Sequence, residues 1–190
     1  MNELTSIVKA CGVLVGLGAD GAFAHLGTAW SLGNGDWVTA WSAASPPRNP
    51  QLIRTGDGQA CAVADWECED GVAGFTSEPA EVSLAIAPPD RLHKRDGLWA
   101  LGFPSLIDHP AFALSHGSLD SQRYTPYLCP WVIEGTLVVF SSQDGWMPGR
   151  LHAGMSGGPV LASDGAVVGV LLDGAGGAEQ VPLSRFRRLT

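Results

Sequence analysis

The chain has 190 residues, 45% of them hydrophobic and only 16% charged, with a formal net charge of −8. The length suffices for a substantial core, and a charged fraction well under the usual quarter or so excludes charge-driven disorder. Its 25 glycines and 13 prolines, scattered without a repeat, exclude collagen-like, linker and helical-bundle classes and imply many tight turns.

The first residues, Met1-Asn-Glu-Leu4, carry no positive lead into an unbroken apolar run, and the apolar stretch from Ile7 is cut by Gly12, Gly16, Gly18 and Gly21. Neither a signal peptide nor a membrane span is expected. Short β-rich or alternating runs follow at 13–17, 27–32, 36–40, 60–66, 82–87, 98–102, 131–141, 159–162 and 166–172. Turn signals separate them, among them Gly33-Asn-Gly-Asp36 and Ser163-Asp-Gly165, which is the pattern of hairpins. The most helix-like stretch is 183–189, with a possible helical turn near 105–113. The chain therefore reads as all-β, in a sandwich or in closed barrels. The proline-containing, charged segment from Pro88 to Gly97 divides it nearly in half and is the expected linker.

Side-chain inventory narrows the function classes. The cationic clusters Arg91, His93, Lys94, Arg95 and Arg185, Arg187, Arg188 make no broad basic face, so nucleic acid is not expected as a partner. Cys11, Cys61, Cys68 and Cys129 are widely spaced and form neither a CxxC pair nor a zinc set, which points to reduced thiols and a cytoplasmic location. The acidic group Asp65, Glu67, Glu69 and Asp70 has no partnered histidine and reads as a solvated face. No cofactor and no metal are implied.

The most specific string is Gly154-Met-Ser-Gly-Gly-Pro-Val160. It sets Ser156 among glycines that permit backbone conformations closed to other residues, so a tight turn there can aim the N–H groups of Gly154 and Ser156 at one point, an oxyanion hole beside the Ser156 hydroxyl. The string, the turn Ser163-Asp-Gly165 and the run Ala166-Val-Val-Gly-Val-Leu-Leu172 together resemble the end of the trypsin-like serine peptidase family, in its bacterial HtrA-type branch. Upstream, Gly27-Thr-Ala-Trp-Ser-Leu32, the turn after it and Trp37-Val-Thr-Ala40 resemble that family's opening hairpin, Leu98-Trp-Ala-Leu-Gly-Phe-Pro104 its second barrel's start, and Gln180-Val-Pro-Leu183 its closing strand. The resemblance covers residues 5–190. It implies two six-stranded antiparallel β-barrels, residues 1–95 and 96–190, forming one unit with the site between them and a short C-terminal helix.

The resemblance fails at the catalytic residues. In the family, Thr-Ala is followed by one residue and then the histidine that accepts the serine proton; here Thr39-Ala40-Trp41 is followed by Ser42. The family's acidic position falls on Glu81, in Glu81-Val-Ser-Leu84. Five histidines remain, His25, His93, His109, His116 and His152, each read as structural or surface-exposed. Loss of one triad member from a serine protease costs on the order of 10⁶ in turnover and leaves about 10³–10⁴ over water. The expectation is a pseudoprotease in which Ser156 is an unactivated nucleophile position, Ser42 replaces the histidine and Glu81 stands at the acidic position. Such a module binds a protein or extended peptide, alone or within a larger complex, with its seven tryptophans as core or anchors. The alternative is an active serine endopeptidase whose base is unconventional.

Overall fold

The computed structural model describes residues 3–43, 45–105, 125, 128–175 and 182–189. A short helix α1 (Glu3–Lys9) leads into a first antiparallel sheet of β1 (Cys11–Leu17), β2 (Phe23–Gly33), β3 (Asp36–Ala40), β4 (Arg48–Arg54), β5 (Ala60–Ala62), β6 (Ala64–Glu69) and β7 (Val72–Thr76). Its strand order is β5-β4-β1-β2-β3-β7-β6. The second sheet comprises β8 (Gly97–Gly102), β9 (Trp131–Thr136), β10 (Val139–Phe140), β11 (Asp144–Pro148), β12 (Pro159–Ala162), β13 (Val167–Ala175) and β14 (Leu183–Arg188), in the order β10-β11-β14-β13-β12-β8-β9. Each sheet curls on itself, and together they form the trypsin-like double barrel. Fold and class agree with the sequence reading, with seven strands in each sheet.

Local sequence explains the register. Asn34 and Gly35 both have positive φ, 55° and 89°, as a two-residue hairpin of primed type requires, so Gly33-Asn-Gly-Asp36 turns β2 back as β3. Trp30 and Trp37 from this hairpin are fully buried. Trp131, by contrast, is 50% exposed, and Trp41, Trp66, Trp99 and Trp146 are half-buried, with Trp66 and Trp99 packed against the core from its edge.

Among the described residues the one α-helix lies at the opposite end of the chain from the one expected. Leu183–Arg188 is a strand whose Ser184 and Phe186 are fully buried. Phe186 occupies space over two glycines: a Cβ at Gly145 would lie 2.3 Å, and one at Gly169 2.5 Å, from its ring. Period-two burial of this kind fits a strand, and the seven residues there are too few for a helix to be settled by propensity alone.

The expected strand 82–87 also differs. It passes between the barrels and makes one isolated parallel bridge, Ile86 with Val167, together with bonds from Leu84 N to Ser31 O and from Ala87 N to Val167 O. Pro79 before it and Pro88-Pro89 after it lack the N–H that a ladder needs. The possible turn over 106–113 lies outside the described residues, as do Gln180 and Val181. One apolar cluster runs through both barrels, with Val13, Trp30 and Ile53 from the first joined to Leu101, Phe103 and Val170 from the second. Among the described residues no helix is long and apolar enough to cross a membrane.

Candidate active-site cleft

Ser156 sits where the loop between β11 and β12 crosses to the first barrel. Thr28 on β2 holds that loop at two points: its N–H donates to Ser156 O at 2.8 Å and its hydroxyl to Gly154 O at 2.9 Å. The same hydroxyl accepts from Phe103 N at 2.9 Å, and Thr39 Oγ1 donates to Thr28 O at 2.7 Å. The glycines are sterically required. Gly154 and Gly157 have φ of +90° and +92°, and a Cβ would lie 2.5 Å from Ser105 N at the first and 2.1 Å from Thr28 O at the second, both closer than any side chain is tolerated.

The loop's peptides orient two amides. Ala153 O accepts from Ser105 N and Met155 O from Gly158 N. Carbonyl and N–H point oppositely in a trans peptide, so the Gly154 and Ser156 N–H groups turn away from those partners. Among the described residues neither donates to a backbone carbonyl.

The Ser156 hydroxyl donates to the Leu172 carbonyl on β13. An amide carbonyl oxygen accepts a hydrogen bond but takes no proton near neutral pH, so this contact fixes the hydroxyl without activating it. Ser42 lies in the same cleft, a cavity of about 390 Å³ to which Trp41, Asp70 and Arg187 also contribute. Trp41 packs edge-on against Trp66 at 5.7 Å, its ring N–H donating to Ser45 O.

Glu81 does not join them. Its carboxylate is 66% exposed and pairs with Lys9 of α1 at 3.0 Å. The expectation that it stands at the acidic position of the site between the barrels is therefore corrected: the segment carrying it leaves the first barrel outside either sheet, and its side chain turns to the α1 cation Lys9 instead. Among the described residues two histidines have neighbours away from the serine and one lies beneath its loop. His152 meets Trp131 edge-to-face at 5.0 Å, and His93 accompanies Arg91 and Asp96. His25 is buried beneath Gly154, whose Cβ would lie 2.9 Å from its Nε2. Burial lowers the His25 pKa from 6.5 to about 4, against opposing hydrogen bonds with the Gly154 and Gly27 backbone, so the ring is neutral at physiological pH. His109 and His116 lie outside the described residues.

Sequence reasoning missed Thr28, which anchors the loop, and Arg185 and Arg187, which line the cleft. The alternation Leu183-Ser-Arg-Phe-Arg187 carried the second signal, since period two puts both arginines on one strand face.

No protein-family model matches the sequence, nor does any curated protein. Solved structures do match in fold. A Glu endopeptidase in complex with MPD aligns with TM-score 0.68 and 12% identity over 96% of this chain and 86% of that one. The active form of the Rv3671c protease from M. tuberculosis aligns with TM-score 0.72 and 11% identity over 98% of this chain and 79% of that one. An inactive form of the same protease gives TM-score 0.66. At these identities the likeness establishes the trypsin-like serine protease fold.

Proposed function

We propose that the chain is a catalytically degenerate, HtrA-type member of the trypsin-like peptidases, a pseudoprotease whose inter-barrel cleft binds a protein or extended peptide as a regulatory or adaptor module. One observation carries the reading: the Ser156 hydroxyl is bonded to the Leu172 carbonyl, and the residue that shares the cleft with it at the expected histidine position is Ser42. A proton acceptor is what the chemistry needs there, and a serine supplies none. The binding half of the ancestral function needs only sheet edges, backbone amides and side-chain pockets. In this reading the Gly154 and Ser156 amides serve as donors to a ligand carbonyl, and the half-buried Trp41 fills space beside it. Four free thiols support a reducing compartment, the cytoplasm.

The competing reading is a serine endopeptidase with an unconventional base, favoured by the glycine loop, with its positive-φ Gly154 and Gly157, that still carries Ser156. Sequencing of new N-termini after incubation with unfolded casein separates the two. The pseudoprotease reading expects the same background for wild type and Ser156→Ala, with equal binding of both proteins to an immobilised peptide library. Cleavage that vanishes in Ser156→Ala overturns it.

A further inference from the structure

A second cavity, of about 820 Å³, lies between α1 and the β8–β9 pair and shares no lining residue with the Ser156 cleft. Ala100 and Ile133 belong to the second barrel's own apolar cluster. Strand alternation therefore puts Trp99, Leu101 and Val132 on the opposite face, where they meet the cluster that Ile7 of α1 joins. That cover thins towards the start of β8. Leu101 is fully buried, but Trp99 and Val132 are half-buried, and a Cβ at Gly97 would meet nothing within 4 Å. Glu134 is the direct cross-strand partner of Trp99, so carboxylate and indole stand side by side on this face. The indole N–H is turned to Ala162 O at 3.3 Å, which leaves carbon surface as what the ring offers the cavity. Glu3 and Leu4 close it from α1. Among the described residues Glu3 and Glu134 are the charged groups of the lining, and neither carboxylate has an ion-pair or hydrogen-bond partner. Lys9 of the same helix is engaged with Glu81, and Arg91 with Asp164.

The lining selects its ligand by chemistry. An anion is repelled by both carboxylates, and a hard divalent cation needs more oxygen donors than a floor of indole, valine and leucine supplies. A neutral apolar molecule leaves the carboxylates unused. What suits carbon surface and carboxylate together is a cation on a hydrocarbon stem, held by apolar contact, by attraction to the indole ring and by charge. We propose that this cavity binds an alkylammonium group, from a lysine side chain or a free alkyl amine, with its stem on Trp99, Val132 and Leu4 and its head towards Glu134 and Glu3. The inference goes beyond the reading of the serine cleft and does not depend on it.

The test is an NMR titration of the full chain at constant ionic strength. It follows the Trp99 indole N–H and the Gly135 amide, with the Ser156 amide as control for the other cavity. Three probes are used: pentylammonium, acetyl-lysine methylamide and the neutral isostere 1-pentanol. At least one ammonium probe is expected to shift the Trp99 and Gly135 signals saturably, with Kd of order millimolar and about fivefold tighter than pentanol. The tighter of the two ammonium probes tells lysine side chain from free amine. Glu134→Gln and Glu3→Gln should each weaken the ammonium about two- to fivefold, and the double variant should bring it level with pentanol. Both residues are exposed, so the variants keep their fold. Pentanol binding as tightly as the ammonium probes, or no saturable shift from either of them, overturns the proposal. So does an affinity unchanged in the double variant, or a saturable shift at Ser156 with Trp99 and Gly135 unmoved.

Discussion

Thr28 illustrates how much of the cleft depends on residues outside the family string. Its hydroxyl satisfies both Phe103 N and Gly154 O in a fully buried position, joining the two barrels at the serine loop. Thr28→Val keeps the shape and strands both partners, so a loss of about 1–3 kcal/mol is expected in urea unfolding; an unchanged midpoint would mean that the bonds contribute nothing net. His25 gives a second test at this scale. Its folded pKa, about 4, lies below the unfolded value of about 6.5, so the unfolded chain binds the proton first. The contribution of the neutral ring is fully present above pH 6.5 and is lost as pH falls towards 4, reaching about 2–3 kcal/mol at pH 4.5. Comparing unfolding midpoints of wild type and His25→Gln at pH 7 and 4.5 isolates it from the carboxylates, and equal pH slopes would contradict it. Of the residues read from sequence, Ser156 and Ser42 meet in one cleft because glycine spacing and the Thr-Ala strand end are local signals. Glu81 was misplaced because its position depended on a strand at 82–87 that joins neither sheet and makes only one bridge and scattered backbone bonds between the barrels.

At the scale of elements, the strands with clear alternation and turn signals were legible: β1, β3, β8 and β12 match their runs closely. β4, β7 and β11 were not. They carry Pro50, Gly74, and Gly145 with Pro148, residues that weaken a strand on local grounds and are tolerated here for packing or edge reasons. β14 shows the same tertiary override, since Phe186 is accommodated by Gly145 and Gly169 from the two strands that flank it. Gly145→Ala should cost about 1–3 kcal/mol through overpacking. Adding Phe186→Leu should recover part of that loss, a coupling of roughly 1 kcal/mol in a double-mutant cycle. Strict additivity in denaturant unfolding would mean that the ring does not fill this space. By the same geometry a bulky residue at Gly157, where a Cβ already meets Thr28 O at 2.1 Å, would report on folding rather than on occupancy of the cleft.

Across the whole molecule, the barrels share an apolar cluster, the Thr28 bridge and the Asp70–Arg187 contact. Differential scanning calorimetry should therefore show one cooperative transition; two resolved peaks would mean that the barrels unfold separately and that the cleft is not rigidly built. The all-β class was legible from repeated hairpin signals, whereas the double barrel followed only from the family resemblance that the glycine string and the opening hairpin carry. Which charges line the cleft was not legible, since it depends on how β14 and the β6–β7 turn meet in space. The central claim is that this scaffold presents a nucleophile-position serine without a base. Reaction with a fluorophosphonate probe, read by peptide mass spectrometry at Ser156 in wild type and Ser156→Ala, tests it most directly. Ser156 is expected to be modified no faster than ordinary surface serines of the same chain. Rapid, stoichiometric modification at Ser156 in the folded protein would contradict it.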